Sequence, residues 1–288
     1  MKLLDTEIQC SRKYQHNKQT HGLDLLMNFN NPYMRCNQGI VVECKNRQMR
    51  SINQAELDKW LEELINAIEC AQSAPELQDF DMGNTMLNTG LLLIHANDSF
   101  NSELFNKYLC NLKVHSRRNP INVFIAGNDE IDRWNSLRNK IEKDFTSEFQ
   151  FIYPSIEGSN MELGNYLTIN QLYSKYIFAQ DMKYIEKTEA STSYKVPQVR
   201  KIMISFDEIS KGNFKYMWSM FKALQFQDAK ELVFVFYPRK NSDVEFVKDN
   251  FINTLYQIQQ PITENIASRI KIEFIDNRSL SPVDMGGR

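Results

Sequence analysis

Short continuous apolar runs alternate with stretches of helical periodicity along most of this chain, and that alternation leaves few folds open. LLLIHA at 91–96, INVFIAG at 121–127, KIMISF at 201–206, ELVFVFY at 231–237 and IKIEFI at 270–275 each read as a buried strand. Between them lie amphipathic segments. Residues 54–72 place Leu57, Leu61, Leu64, Ile65 and Ile68 at helical spacing behind a start signal at 51–53. Helices are likewise predicted over 101–116, 129–145, 213–226 and 243–257. Residues 169–183 also read as helical, and the polar, punctuated KTEASTSYKVP at 187–197 as a linker or exposed loop. Strands alternating with helices make an α/β protein, a sheet with parallel members covered by helices. Two units are expected, 1–150 and 151–288, the second built as β-α-β-α-β and ending in a polar tail that frays. The two halves share a rhythm, which generic β-α-β grammar explains without duplication.

Composition excludes several classes of function. An apolar share of 42% with 24% charged residues is the balance of a packed globular chain. No stretch reaches the roughly 20 apolar residues that span a bilayer, and acids stand within the first seven positions, so neither a membrane partner nor a secretory leader is expected. A cytoplasmic location follows. Cys10, Cys36, Cys44, Cys70 and Cys110 are odd in number and form no CxxC pair, so they read as free thiols rather than a disulfide framework or a zinc site. The net charge of −2 is not that of a strong nonspecific DNA binder. Residues 1–50, however, hold eight Lys or Arg against four acids, a local excess of +4 suited to a polyanion.

Chemistry concentrates in HGLDLLMNFNNPYMRCNQGIVVECKNR, residues 21–47. Residues 23–29 and 39–45 read as two strands of a long hairpin. In GIVVECK, alternation puts Val41, Glu43 and Lys45 on one face, a charged pair standing two apart in an apolar strand. Burying those charges costs several kcal/mol unless they are paired or bound to metal. In the preceding strand Asp24, Leu26 and Asn28 share a face, so hairpin pairing lets Asp24 meet Glu43 and Lys45. Two converging carboxylates form a hard-oxygen site that suits Mg²⁺ or Mn²⁺, and a neighbouring amine can stabilise developing charge.

An acid after Gly22 in one strand, a hairpin, then an apolar strand ending in Glu-Xaa-Lys and followed by an amphipathic helix resembles the PD-(D/E)xK nuclease superfamily. The "VECKN" wording is most similar to the restriction-endonuclease-like and Mrr-like enzymes of prokaryotic genome defence. The resemblance implies a restriction-endonuclease-like core, a mixed sheet flanked by helices, with family order α-β-β-β-α-β. It implies Asp24 and Glu43 as metal-binding acids, the main-chain carbonyl of Cys44 as a further ligand and Lys45 as the catalytic lysine. The activity implied is Mg²⁺-dependent hydrolysis of phosphodiesters in DNA, within a system directed against phage or plasmids, where a partner subunit or a second copy can take part. The first family helix is short or missing here, and Glu7 is the one candidate for the acid it often carries. A second reading keeps the nuclease fold as a noncatalytic scaffold that binds nucleic acid or protein.

Lys13, His21, Arg47 and Arg50 are the candidates for holding the nucleic-acid backbone, by nearness to the motif. Arg117–Arg118 and Arg239–Lys240 are paired cations that more often mark solvated surface. His95 and Asn97 end a strand near the edge where ligands bind in α/β sheets, and a core or capping role competes there. No GxGxxG and no GxxxxGK[ST] is present, so neither a dinucleotide fold nor a P-loop motor is supported.

Overall fold

A computed structural model describes residues 2–80, 85–113, 117, 119–154, 161–189 and 192–277. The chain divides into two compact units, 1–131 and 132–280. The boundary lies earlier than the expected 150, inside a helix whose later residue Leu137 belongs to the core of the second unit. Tertiary packing decides this division, and the local pattern does not show it.

The first unit is built on a five-stranded sheet in the order β1-β2-β3-β4-β5. These are β1 (Lys2–Gln9), β2 (Thr20–Asn31), β3 (Cys36–Arg47), β4 (Thr85–Ala96) and β5 (Asn122–Ala126). The first three are antiparallel neighbours; β4 and β5 join in parallel. Helix α1 (Lys13–His16) lies between β1 and β2, α2 (Gln54–Ala71) between β3 and β4, α3 (Ser102–Cys110) between β4 and β5, and α4 (Asn128–Asp144) follows β5. The parallel connection through α2 is the crossover that a β-α-β step requires. Residues 5–14 read in the sequence as a strand, with a short helix around Leu3–Ile8 as the competitor; the strand forms over Lys2–Gln9, and Lys13 and Tyr14 belong to α1. Among the described residues β1 is the first element. Residues 85–90 extend β4 ahead of the predicted run 91–96, and of the predicted helix 101–116 residues 114–116 lie outside the described residues.

Asn53 caps α2 by accepting from the Glu56 N–H, and the apolar face buries Leu57, Trp60, Leu61, Leu64 and Ile68. Gly90 on β4 lets this helix lie close. A methyl group there would come within 2.7 Å of Ile68 Cδ1 and 3.0 Å of Leu64 Cδ2. Helix α2 is thereby held over the sheet beside β3, the strand that carries Glu43 and Lys45.

The second unit holds a six-stranded sheet, with β6 (Gln150–Tyr153), β7 (Glu162–Gly164), β8 (Tyr176–Glu189), β9 (Thr192–Ser205), β10 (Glu231–Phe236) and β11 (Ile270–Phe274) in the order β11-β10-β9-β8-β6-β7. Strands β9, β10 and β11 are parallel and connected through α6 (Lys211–Ala223) and α7 (Asn241–Tyr256), the expected β-α-β-α-β run. The short helices α5 (Ile169–Leu172) and α8 (Glu264–Ala267) complete the unit. Strand β10 is buried on both faces. Leu232, Phe234 and Phe236 pack with Phe214, Trp218 and Phe251 of α6 and α7, while Val233 and Val235 face Ile202, Ile204 and Leu137.

Two readings of this unit are corrected. Residues 169–183 are helical only over α5 and then run as β8, and 187–197 is not a linker but the far end of the β8–β9 hairpin, with Thr188 opposite Ser193. Residues 190–191 and the tail from 278 lie outside the described residues. Ile169, Leu172, Tyr173 and Tyr176 imitate helical spacing, whereas the alternation of β8 is hidden because one inward position is Asp181, a buried acid.

Where β8 begins, the Asp207 carboxylate accepts from Tyr176 Oη at 2.6 Å and from the Glu208 N–H at 2.9 Å, and pairs with Lys175 at 2.8 Å. Burial pushes this carboxyl up, but the bonds from Lys175 and Tyr176 outweigh it and hold it below the usual carboxylate range. A depressed folded pKa gives stability that is present above the unfolded value and lost as pH falls through the folded one. The urea-unfolding difference between wild type and Asp207→Asn is therefore expected to be largest near neutrality and to shrink in acid. A difference independent of pH would assign the effect to packing alone.

Candidate active site

The β2–β3 ladder ends at Leu25 opposite Val42, which leaves Asp24 and Glu43 as the next residues on the two strands. Asp24 Oδ2 accepts the backbone N–H of Cys44 at 2.7 Å, which ties the acid to the motif strand. Lys45 Nζ pairs with Glu43 Oε1 across two residues of β3, and both side chains are 15% exposed. The structure thus brings together the three residues singled out in the sequence.

The alternation assumed for β2 is not regular. Leu23 and Leu26, three apart, are both buried in the same core. The strand therefore changes face between them, and Asp24 sits at the change. On the neighbouring strand the residue opposite, Asp5, has a φ of +46°, the left-handed region that a side chain adopts at a cost. Strict alternation would have sent Leu23 to the other face; the local twist buries it and frees the Asp24 carboxylate for the Cys44 N–H.

Electrostatically the site gathers negative charge. Burial pushes the Glu43 carboxyl above its ordinary value; Lys45 opposes this, while Asp24 and Glu63 add to it. Glu63 is a residue of α2, which the sequence reading did not include, and it also pairs with Lys18 at 3.1 Å. Its place near Glu43 follows from the packing of α2 beside β3, information that neither segment carries alone. Burial, followed by the charges of Asp24 and Glu43, likewise raises the Cys44 thiol. A divalent cation fits this donor set: two carboxylates on adjacent strands, partly desolvated, whose mutual repulsion a single lysine does not cancel.

The other candidates scatter. Lys13, Arg47 and Arg50 are exposed, Arg47 donating to the Asn46 carbonyl at 3.0 Å. His21 does not stand at the mouth of the site as expected for a phosphate contact. It is 4% exposed, with Nε2 3.3 Å from His16 Nδ1. Burial, then the charges of His16 and Lys18, lower its pKa, so it is neutral at pH 7. Glu7 is exposed and accepts from Thr20 Oγ1 at 2.5 Å. His95 Nδ1 is 3.5 Å from Asn46 Oδ1, and the Asn97 N–H donates to the Arg47 carbonyl at 2.8 Å, so both fasten the strand end. Arg117 pairs with Glu62; Arg118 lies outside the described residues. Arg239 and Lys240 are exposed, their N–H groups bonded to Asp243.

An α/β unit with an acid on one strand, a Glu-Xaa-Lys on the next and a helix crossing to a parallel strand is a PD-(D/E)xK nuclease core of the restriction-endonuclease-like type. Residues 2–130 match the family model described as the GAPS4 protein PD-(D/E)XK nuclease domain, a family of anti-phage defence, and the first unit is a nuclease domain of that superfamily. No curated protein and no solved structure matches the chain. Among the described residues no helix is long and apolar enough to cross a membrane.

Proposed function

We propose that the chain is a divalent-metal-dependent nuclease that hydrolyses phosphodiester bonds in DNA, with Asp24, Glu43 and Lys45 as its catalytic residues and a role in defence against phage or plasmids. The observation that carries this reading is the Glu43–Lys45 pair on β3 with Asp24 bound to the intervening Cys44 N–H. Asp24 and Glu43 would hold Mg²⁺ or Mn²⁺, with the Cys44 carbonyl as the further donor that the family resemblance implies. When bound, such an ion supplies Lewis acidity toward the phosphate and makes water a stronger nucleophile. Lys45 holds its ammonium beside the carboxylates, where it can orient a water and offset charge developing on the phosphate. Lys13, Arg47 and Arg50 are exposed cations of the same unit and suit backbone phosphates rather than base edges.

The test is cleavage of linear DNA, circular DNA and RNA by the full chain. Mg²⁺ or Mn²⁺ should support DNA cleavage. Ca²⁺ should permit binding with little turnover, because its looser coordination misplaces the water. EDTA should abolish cleavage, and excess Mg²⁺ should restore it. Full activity in chelator would overturn the metal assignment, and cleavage confined to RNA would overturn the substrate.

A further inference from the structure

Away from the acidic site, Cys10, His16, His21 and Cys70 point their ligand atoms at one another, all within 4.8 Å, and among the described residues no other group of three or more His, Cys, Asp or Glu does so. Cys10 follows β1, His16 ends α1, His21 is in β2 and Cys70 is near the end of α2. Four elements of the nuclease domain therefore converge there. The two sulfurs are 3.7 Å apart, His16 Nδ1 is 3.5 Å from Cys10 Sγ and 3.4 Å from Cys70 Sγ, and the two imidazole nitrogens are 3.3 Å apart. A tetrahedron with metal–sulfur bonds of about 2.3 Å and metal–nitrogen bonds of about 2.0–2.1 Å has edges of about 3.8 Å between sulfurs, about 3.5 Å from sulfur to nitrogen and about 3.4 Å between nitrogens. These four of the six edges agree to about 0.1 Å, and the two from His21 Nε2 to the sulfurs lie within 4.8 Å. A disulfide needs sulfurs about 2.05 Å apart.

We propose that Cys10, His16, His21 and Cys70 bind a structural zinc ion in a closed Cys₂His₂ site that fastens the amino-terminal segment to α2. The surroundings are those of a ligated metal. His16 Nε2 is 3.2 Å from Glu69 Oε2, so with Nε2 protonated its Nδ1 lone pair faces the sulfurs; a carboxylate on the far nitrogen is the usual second partner of a zinc-bound histidine. Glu69, only 9% exposed, is balanced by Arg12 at 2.8 Å. Ser11 Oγ donates to Cys70 Sγ at 3.5 Å. Two thiolates neutralise Zn²⁺, and Arg12 neutralises Glu69, so no net charge is buried. The site also accounts for α1. A four-residue helix without a capping side chain cannot hold itself together in water, whereas ligation through His16 fixes it. All four positions are protein side chains, so the site has no open coordination for substrate.

The experiment is metal analysis of the full-length chain after gel filtration, with Co²⁺ substitution as a second measurement. One zinc per chain is expected, together with the intense visible bands and thiolate charge-transfer absorption of tetrahedral cobalt bound by sulfur. Cys10→Ser and Cys70→Ser should lose the zinc, and Glu69→Gln should weaken it about 10–100-fold in competition with a chromophoric chelator. Asp24→Asn and Glu43→Gln should keep the full ratio, which separates this ion from the one proposed for catalysis. Absence of zinc from the wild type, an octahedral cobalt spectrum, or a Cys10–Cys70 disulfide in the native mass would each overturn the proposal. The cobalt spectrum of the wild type holds the test open if the serine variants fail to fold.

Discussion

Lys45→Ala is expected to lower single-turnover DNA cleavage by about 10²–10³-fold, the usual loss when one preorganised donor is removed from developing charge. Its thermal melt should stay close to that of wild type. Lys45 and Glu43 are each partly exposed, so the pair is not a deep ion pair on which the fold depends. Binding of DNA in Ca²⁺ should survive, because the substitution removes a single cation and leaves Arg47 and Arg50 in place. Glu43→Gln should lose at least as much rate while keeping size and shape, since it removes a charged donor at the same point. Lys45→Arg tests geometry rather than charge: a planar fork cannot take the place of a compact ammonium beside Glu43, and only partial rescue is expected. Lys45→Ala cleaving at the wild-type rate would place the chemistry elsewhere. Loss of binding together with rate would make Lys45 a substrate-holding residue.

The grouping of Asp24, Glu43 and Lys45 was legible because the three residues interrupt apolar strands, where an unpaired charge has a high cost. The amphipathic pattern of α2 and the β-α-β-α-β run of the second unit were legible for the same reason, periodicity imposed by burial on one face or two. Glu63 and the Cys₂His₂ cluster were not. Cys10, His16 and His21 lie within twelve positions of one another, a spacing that could have suggested a metal knuckle. Their fourth partner, Cys70, is far along the chain on a helix whose face is decided by packing. The readings of 169–183 and 187–197 failed through a related cause. A strand whose inward positions include an acid loses its apolar alternation, and the exposed end of a hairpin is polar like any loop although its backbone is paired.

That inward acid carries the second large expectation. Asp181 and Arg200 face each other across β8 and β9, 1% and 2% exposed. The carboxylate accepts from Arg200 Nε at 2.8 Å, Thr146 Oγ1 at 2.5 Å and the Thr146 N–H at 3.2 Å. Arg200 also donates to the Asp144 carbonyl at 3.3 Å, at the end of α4, and lies 4.9 Å from the centre of the Phe145 ring. A cation at a helix C-terminus is favourable, so the pair joins the sheet to that helix end as well as joining the two strands. Removing Arg200 leaves the buried Asp181 carboxylate with the Thr146 hydrogen bonds alone, and removing Asp181 leaves Arg200 with Glu231 at 3.8 Å as its remaining acid, so Asp181→Ala or Arg200→Met should each cost about 3–5 kcal/mol. The double variant Asp181→Leu/Arg200→Met should cost clearly less than the two single losses added together, because it leaves no charge unpaired. Urea unfolding of the full chain, followed by tryptophan fluorescence from Trp218 in the same unit, gives all three values. Single losses below about 1 kcal/mol would mean that water reaches the pair and that it behaves as a surface ion pair. Additive losses would mean that Asp181 and Arg200 act through separate partners, Thr146 for one and the end of α4 for the other.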